Sequence, residues 1–197
     1  MTQAVLLRQY NKPLFDLFLC KYGFLMKQGR TEVFEFSKEV MPRLSIINKW
    51  LVLNDRDQVL RRMAKSFNPR YTVILEKDPN IPYDKPDSGQ RAKVSILDSS
   101  TDHLTVEAEL SHSGVLLLTD SYSEDWTAKP LEGSSQSQYE IIPADYAFMG
   151  VPLQAGKHRI RIEYLPTEFV FGKWVSIVSL SLYMAAIIMI NFRRRRH

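Results

Sequence analysis

The chain has 197 residues, 45% of them apolar and 24% charged, with 26 Lys and Arg against 22 Asp and Glu. One cysteine, Cys20, excludes an internal disulfide framework, and its neighbours Leu19 and Tyr22 suit a buried thiol better than a nucleophile. The basic balance gives no case for nucleic acid: all 22 acidic residues precede Phe169 while Lys173 and Arg193 to Arg196 follow it, which leaves 21 minus 22, or −1, on the rest.

The first thirty residues contain no secretory signal, because Arg8 cuts off Val5 to Leu7 and Asp16 interrupts Leu14 to Cys20. Leu14 to Tyr22 is a short helix candidate, and Thr31 to Phe36 and Leu44 to Val52 read as strands. Asn54 can cap a helix running to about Ser66, with Val59, Leu60 and Met63 as its apolar stripe and Asp55, Arg56, Asp57 and Arg61 in water. Tyr71 to Glu76 reads as a further strand. Residues 1–77 are thus expected to form a small α+β lead-in. Asp78 to Gln90 holds three Pro and one Gly in thirteen residues and reads as a linker or long loop.

Clean alternation follows. Leu104, Val106, Ala108 and Leu110 point one way and Thr105, Glu107 and Glu109 the other, while Ile160, Ile162 and Tyr164 alternate with Arg159, Arg161 and Glu163. Val115 to Thr119 suits a central strand, and Trp126 to Ala128, Gln138 to Ile142 and Phe148 to Leu153 supply more. Turns are signalled at Glu132-Gly133-Ser134 and Ala155-Gly156-Lys157. The expected fold is mostly β, a sandwich or jelly-roll-like domain over 91–168.

Trp174 to Ile190 runs seventeen residues without a charge, Pro or Gly, and flanking residues extend it to a transmembrane helix over 169–192. Its eight Val, Ile and Leu contribute about −4 kcal/mol to insertion in all. The alternative, a buried core helix, fits poorly with Trp174 at one end and four consecutive arginines at the other. Lys173, Trp174 and Arg193, Arg194, Arg195 and Arg196 are the expected membrane anchors, with 193–197 a cytoplasmic basic tail and the bilayer as partner. By the same bias residues 1–168 face the outside. The chain is then either the C-terminal piece of a longer membrane protein whose upstream helices export the domain, or a single-span protein exported without a recognisable signal.

An ordered set of motifs carries a resemblance. Met41-Pro42-Arg43 leads into a strand, and Phe67-Asn68-Pro69-Arg70 leads into Tyr71 to Glu76. Leu118-Thr119-Asp120-Ser121-Tyr122 follows with Trp126 close behind, then Gly150 to His158 and Tyr164-Leu165-Pro166. In order and spacing over residues 41 to 192, this resembles the C-terminal part of the YfhO-type bacterial membrane proteins. The resemblance implies a multi-spanning glycosyltransferase that uses lipid-linked sugars. It also implies catalytic carboxylates in an extracytoplasmic loop near the start of a membrane domain, a region that this sequence does not include. Asp125 stands before Trp126 where the family usually has Gly, and Leu131-Glu132-Gly133-Ser134 replaces its Asp-Gly-Lys turn.

No catalytic, cofactor or metal site is expected. His103, His112 and His158 lack Cys or acidic partners at ligand spacing, Glu107 and Glu109 share a solvated strand face, and Ser113-Gly114 lacks a nucleophile elbow. The one cluster with recognition potential is Asp120, Tyr122, Asp125 and Trp126, where an aromatic face beside carboxylates can stack on a sugar ring and accept its hydroxyls. Packing in the sheet is the competing role for Trp126. Two functions follow: a non-catalytic domain that positions an acceptor glycan or polymer for a membrane glycosyltransferase, or a stand-alone anchored β-domain that binds envelope carbohydrate or a partner protein.

Overall fold

The computed structural model describes residues 17–18, 22–27, 29–35, 40–83 and 92–194. Tyr22–Lys27 (β1) and Arg30–Glu35 (β2) pair antiparallel as a hairpin with its own two-stranded sheet. Of the helix expected over Leu14 to Tyr22, only Leu17, Phe18 and Tyr22 are among the described residues, and Tyr22 opens β1. Cys20 and Phe36 lie outside them.

The single strand expected over Leu44 to Val52 is two strands, Leu44–Ile47 (β3) and Trp50–Val52 (β4). The break falls at Asn48, whose side-chain amide donates to the Ser113 carbonyl at 3.1 Å. Helix α1 (Arg56–Ser66) follows, capped by Asp55 rather than Asn54: the Asp55 carboxylate accepts the Asp57 N–H at 2.9 Å. Its buried stripe is Val59, Met63 and then Phe67, spaced four apart, whereas Leu60 is 43% exposed. Val73–Leu75 (β5) then runs parallel to β4, so β4, α1 and β5 form a crossover unit.

The later strands are Lys93–Ser99 (β6), His103–Leu110 (β7), Gly114–Leu118 (β8), Trp126–Pro130 (β9), Ile142–Ala144 (β10), Phe148–Leu153 (β11) and Gly156–Tyr164 (β12). With β3, β4 and β5 they build a six-stranded sheet in the order β3-β8-β11-β10-β5-β4 and a four-stranded sheet in the order β6-β7-β12-β9. Strands from both sides of residues 78–90 therefore share one sheet. Of the lead-in, β3, β4 and β5 join this sheet through β8 and β10, while β1 and β2 keep their own two-stranded sheet. Part of that connection, 84–91, lies outside the described residues. Ile142–Ala144 replaces the strand expected at Gln138 to Ile142.

Why β8 is a continuous apolar run is now plain, since it is buried on both faces. Val115 and Leu117 share a core with Val59 and Met63 of α1 and with Phe67 just beyond it, while Leu116 and Leu118 share one with Leu104, Val106, Ile160 and Ile162 of the second sheet. A helix layer, a mixed sheet and an antiparallel sheet thus enclose two cores. Gly150 permits the tight middle of this arrangement: a Cβ there would stand 3.0 Å from both Leu75 and Val115 side chains.

Helix α2 (Thr167–Arg194) follows β12 after only Leu165 and Pro166. Within it Thr167–Met189 is long and apolar enough to cross a membrane, and none of its most apolar stretch is buried against the rest of the chain. Lys173 and Trp174 lie in its early turns, and Arg193 and Arg194 end it; Arg195 and Arg196 lie outside the described residues.

Candidate functional site

The connection from β8 to β9 carries Asp120, Tyr122 and Asp125 and leads into Trp126, and each is held by a different neighbour. The Arg43 guanidinium, just before β3, donates through Nε to Asp120 Oδ1 at 3.0 Å and through Nη2 to Oδ2 at 2.6 Å. This fork-to-fork pair is backed by the Thr119 N–H donating to the Arg43 carbonyl at 3.1 Å. Asp125 sits in a local turn in which its N–H donates to Ser123 Oγ at 3.3 Å. Tyr122 is half-buried against the inter-sheet core, and burial raises its phenol pKa above the ordinary value.

Trp126 is opposite Tyr164 in the β9–β12 register, on the face shared with Ile160 and Ile162. Its ring stands 5.2 Å from that of Tyr164, tilted by 51°, and it packs against the inter-sheet core. That is the inner face of the sheet. The four side chains therefore occupy one stretch of chain without presenting one open aromatic platform: Asp120 is engaged by Arg43, and Trp126 faces inward.

The same loop ties the sandwich to the helix. The Leu165 N–H donates to the Asp125 carbonyl at 3.0 Å, and the Tyr164 N–H to the Asp102 carbonyl at 2.8 Å. On its other side the Tyr122 N–H donates to the Ala147 carbonyl at 2.8 Å, in the turn between β10 and β11. That turn places Asp145 and Tyr146 at φ of 46° and 72°, a left-handed conformation that Asp tolerates better than most residues. Asp145 is fully buried, its Oδ1 accepts the Ile74 N–H at 2.8 Å, and its Oδ2 has no protein partner. Desolvation by burial pushes its carboxyl up to about 7, against the opposing Ile74 hydrogen bond. Arg56 braces the turn from α1, donating to the Tyr146 carbonyl at 2.9 Å with its guanidinium 4.5 Å from the Tyr146 ring centre.

At this end of the four-stranded sheet the alternating charges form a network. His103 lies 3.0 Å from both Asp98 and Asp102, and Arg161 reaches Glu163 at 2.6 Å and Asp98 at 3.8 Å. Hydrogen bonds to Asp98 and then Asp102 raise the His103 pKa, and the Arg161 and Lys129 contacts lower that of Glu163. Sequence spacing did not bring Asp98 to His103; an irregularity in the β6–β7 register between Ile96 and Asp98 does. Among the described residues no group of three or more His, Cys, Asp or Glu could hold a metal ion.

Toward the other end, an open groove of about 550 Å³ is lined by Lys93, Glu107, Glu109, Glu132, Lys157 and Arg159 among others. Glu107 and Glu109 are exposed there, on the face opposite the apolar row. Below it the Tyr139 hydroxyl donates to His158 Nδ1 at 2.7 Å, and His158 Nε2 donates to the Gln154 carbonyl at 2.8 Å. Burial lowers the His158 pKa, which favours the neutral ring this pairing needs. The pairings of Arg43 with Asp120, Asp145 with Ile74 and Tyr139 with His158 were not legible in the sequence because each joins residues distant in the chain.

The motifs of the resemblance are thus mostly architectural. Met41-Pro42-Arg43 meets Leu118-Thr119-Asp120 through Arg43 and Asp120, Gly150 to His158 forms the β11–β12 hairpin, and Tyr164-Leu165-Pro166 joins sheet to helix. Residues 84–176 match the family model described as "Bacterial membrane protein YfhO". The match takes in the last three of the five motifs and leaves Met41 to Arg43 and Phe67 to Glu76 outside. A curated relative, "Uncharacterized protein YfhO" of Bacillus subtilis (strain 168), is 33% identical over 90 residues, which are 46% of this chain and 10% of the relative. The chain therefore aligns with about a tenth of that relative's length. No solved structure matches it significantly. On the matched segment, a β-rich domain running into an apolar helix, the chain is similar to the YfhO-type bacterial membrane proteins.

Proposed function

We propose that this chain is the extracytoplasmic C-terminal domain and last membrane helix of a YfhO-type membrane glycosyltransferase, and that it positions an acceptor glycan or polymer rather than catalysing transfer. The observation that carries this reading is the family match over 84–176, which spans the whole of the four-stranded sheet and the start of α2. A domain joined to its membrane helix by two residues and cross-tied through Asp125 and Leu165 suits a rigid platform beside the bilayer. The catalytic carboxylates implied by the family resemblance belong to a region outside this sequence. Asp120, Tyr122, Asp125 and Trp126 support glycan contact only through the edges of the loop, since Asp120 is paired and Trp126 is turned inward.

The test is transfer of labelled sugar from a polyprenyl-phosphate donor to envelope polymer in membranes containing the YfhO-type protein. Removing 92–166 is expected to abolish labelling of polymer while leaving donor binding intact. Unchanged labelling of polymer would remove the acceptor-positioning role.

A further inference from the structure

One end of the sandwich collects the β8–β9 connection, the 145–147 turn, Arg43 before β3, the Asp102–His103 start of β7 and the Tyr164 end of β12. Backbone hydrogen bonds from Tyr122 to Ala147 and from Leu165 to Asp125 fasten that end to the residue that leads into α2. Three Cα steps separate Tyr164 from Thr167, a reach of at most about 11 Å. Between the sandwich and Trp174, Leu165, Phe169 and Phe171 are 46%, 69% and 73% exposed, an apolar collar that the described residues leave uncovered. A bilayer that receives Thr167–Met189 covers it, and no soluble environment does so without cost.

We propose that this end of the sandwich, led by Ser121 to Asp125, rests end-on against the lipid headgroup layer, and that the bilayer surface is its partner. The proposal rests on the membrane-spanning reading of α2 and is independent of glycosyl transfer. With the collar in the interface, the β8–β9 connection lies at headgroup depth, because the headgroup region adds only about 5 to 8 Å on each side of the hydrocarbon. The opposite end, with Glu132 and Lys157, stands roughly 25 Å further out, since β12 has nine residues at about 3.3 Å each. Any substrate met by the β8–β9 connection is then one presented at the membrane surface, while the groove at Glu107 and Arg159 faces bulk solvent.

The full chain carrying Cys20→Ser is labelled with an environment-sensitive fluorophore at Ser121→Cys, at Glu124→Cys or at Glu132→Cys, and reconstituted into phosphatidylcholine vesicles bearing a headgroup nitroxide quencher. The two near-end positions are expected to be quenched about threefold or more strongly than Glu132→Cys, given that separation. Circular dichroism confirms that each labelled variant is folded. Equal quenching at Glu132→Cys, which means a sandwich lying flat, overturns the proposal. So does weak quenching at both near-end positions, which means a domain standing off the membrane.

Discussion

Asp145 and Ile74 form a one-sided contact: the Ile74 N–H donates to one carboxylate oxygen at 2.8 Å while the other oxygen is buried without a protein partner. The turn it anchors holds Tyr122 through Ala147, and so bears on the loop whose Asp125 carbonyl accepts from Leu165, just ahead of α2.

Because burial raises the Asp145 carboxyl to about 7, the folded chain keeps a proton that the unfolded chain has already released above its ordinary value of 3.8. Folding stability from this group is therefore fully present below about pH 4 and is lost as pH rises toward about 7, by at most about 4 kcal/mol. Asp145→Asn keeps the acceptor for Ile74 and tolerates the left-handed backbone. It is expected to raise the unfolding midpoint at pH 8 by several degrees, to change it little at pH 4, and to flatten the profile between them. A lower midpoint at pH 8 would show that the carboxylate, not the acid, holds the turn.

Trp126 packs inward against Tyr164, so Trp126→Ala should behave as a core truncation. A loss of about 2 to 4 kcal/mol is expected, at the lower side of full Trp burial because the ring is only partly covered. Thermal unfolding of the full chain in detergent micelles measures it. An unchanged midpoint would release Trp126 from packing and make glycan stacking its main role.

Arg43 and Asp120 are 40% and 24% exposed, so their pair is worth about 1 kcal/mol, not the several of a buried pair. A double-mutant cycle with Arg43→Ala and Asp120→Ala should return a coupling of that size, and Arg43→Lys should lose most of it by removing the fork. Zero coupling would mean that the β8–β9 connection is fixed by its backbone bonds alone.

Leu182 lies mid-helix and is exposed. Leu182→Asp adds about +3 kcal/mol at mid-span against a favourable total of about −4. With the Leu contribution also lost, only about −0.5 kcal/mol remains, so a substantial fraction of this variant should be lost from carbonate-washed membranes, with Ser179→Ala retained like the parent. Full retention of Leu182→Asp would show that α2 does not cross the bilayer.

Much of the fold was legible because period-2 alternation survives wherever one strand face is wet. Leu104 to Leu110 and Ile160 to Tyr164 are such cases, and β8 was legible because it is wet on neither. Legibility failed where local signals were short. Leu44 to Val52 reads as one strand until Asn48 turns the chain toward Ser113, and Lys93–Ser99 carries too little alternation to be seen on an edge exposed along most of its length. The unity of the fold was hidden for a related reason: Pro79, Pro82 and Pro86 mark a connection, and composition cannot distinguish a loop within a sheet from a boundary between domains. The candidate loop was found through its Asp, Tyr and Trp content. Its partners Arg43, Ala147 and Leu165 are set by topology, which is why its clasping role appears only in three dimensions.

Protease access decides which side of the membrane the β domain occupies. Positive residues beside a span stay cytoplasmic, so Arg193 to Arg196 favour a domain outside. Protease added to intact spheroplasts carrying the full chain with a C-terminal tag should digest the domain and leave a tagged fragment of α2. A domain that resists digestion until the membrane is broken, while a periplasmic control is cut, would contradict the extracytoplasmic reading and with it the role in positioning an acceptor outside the cell.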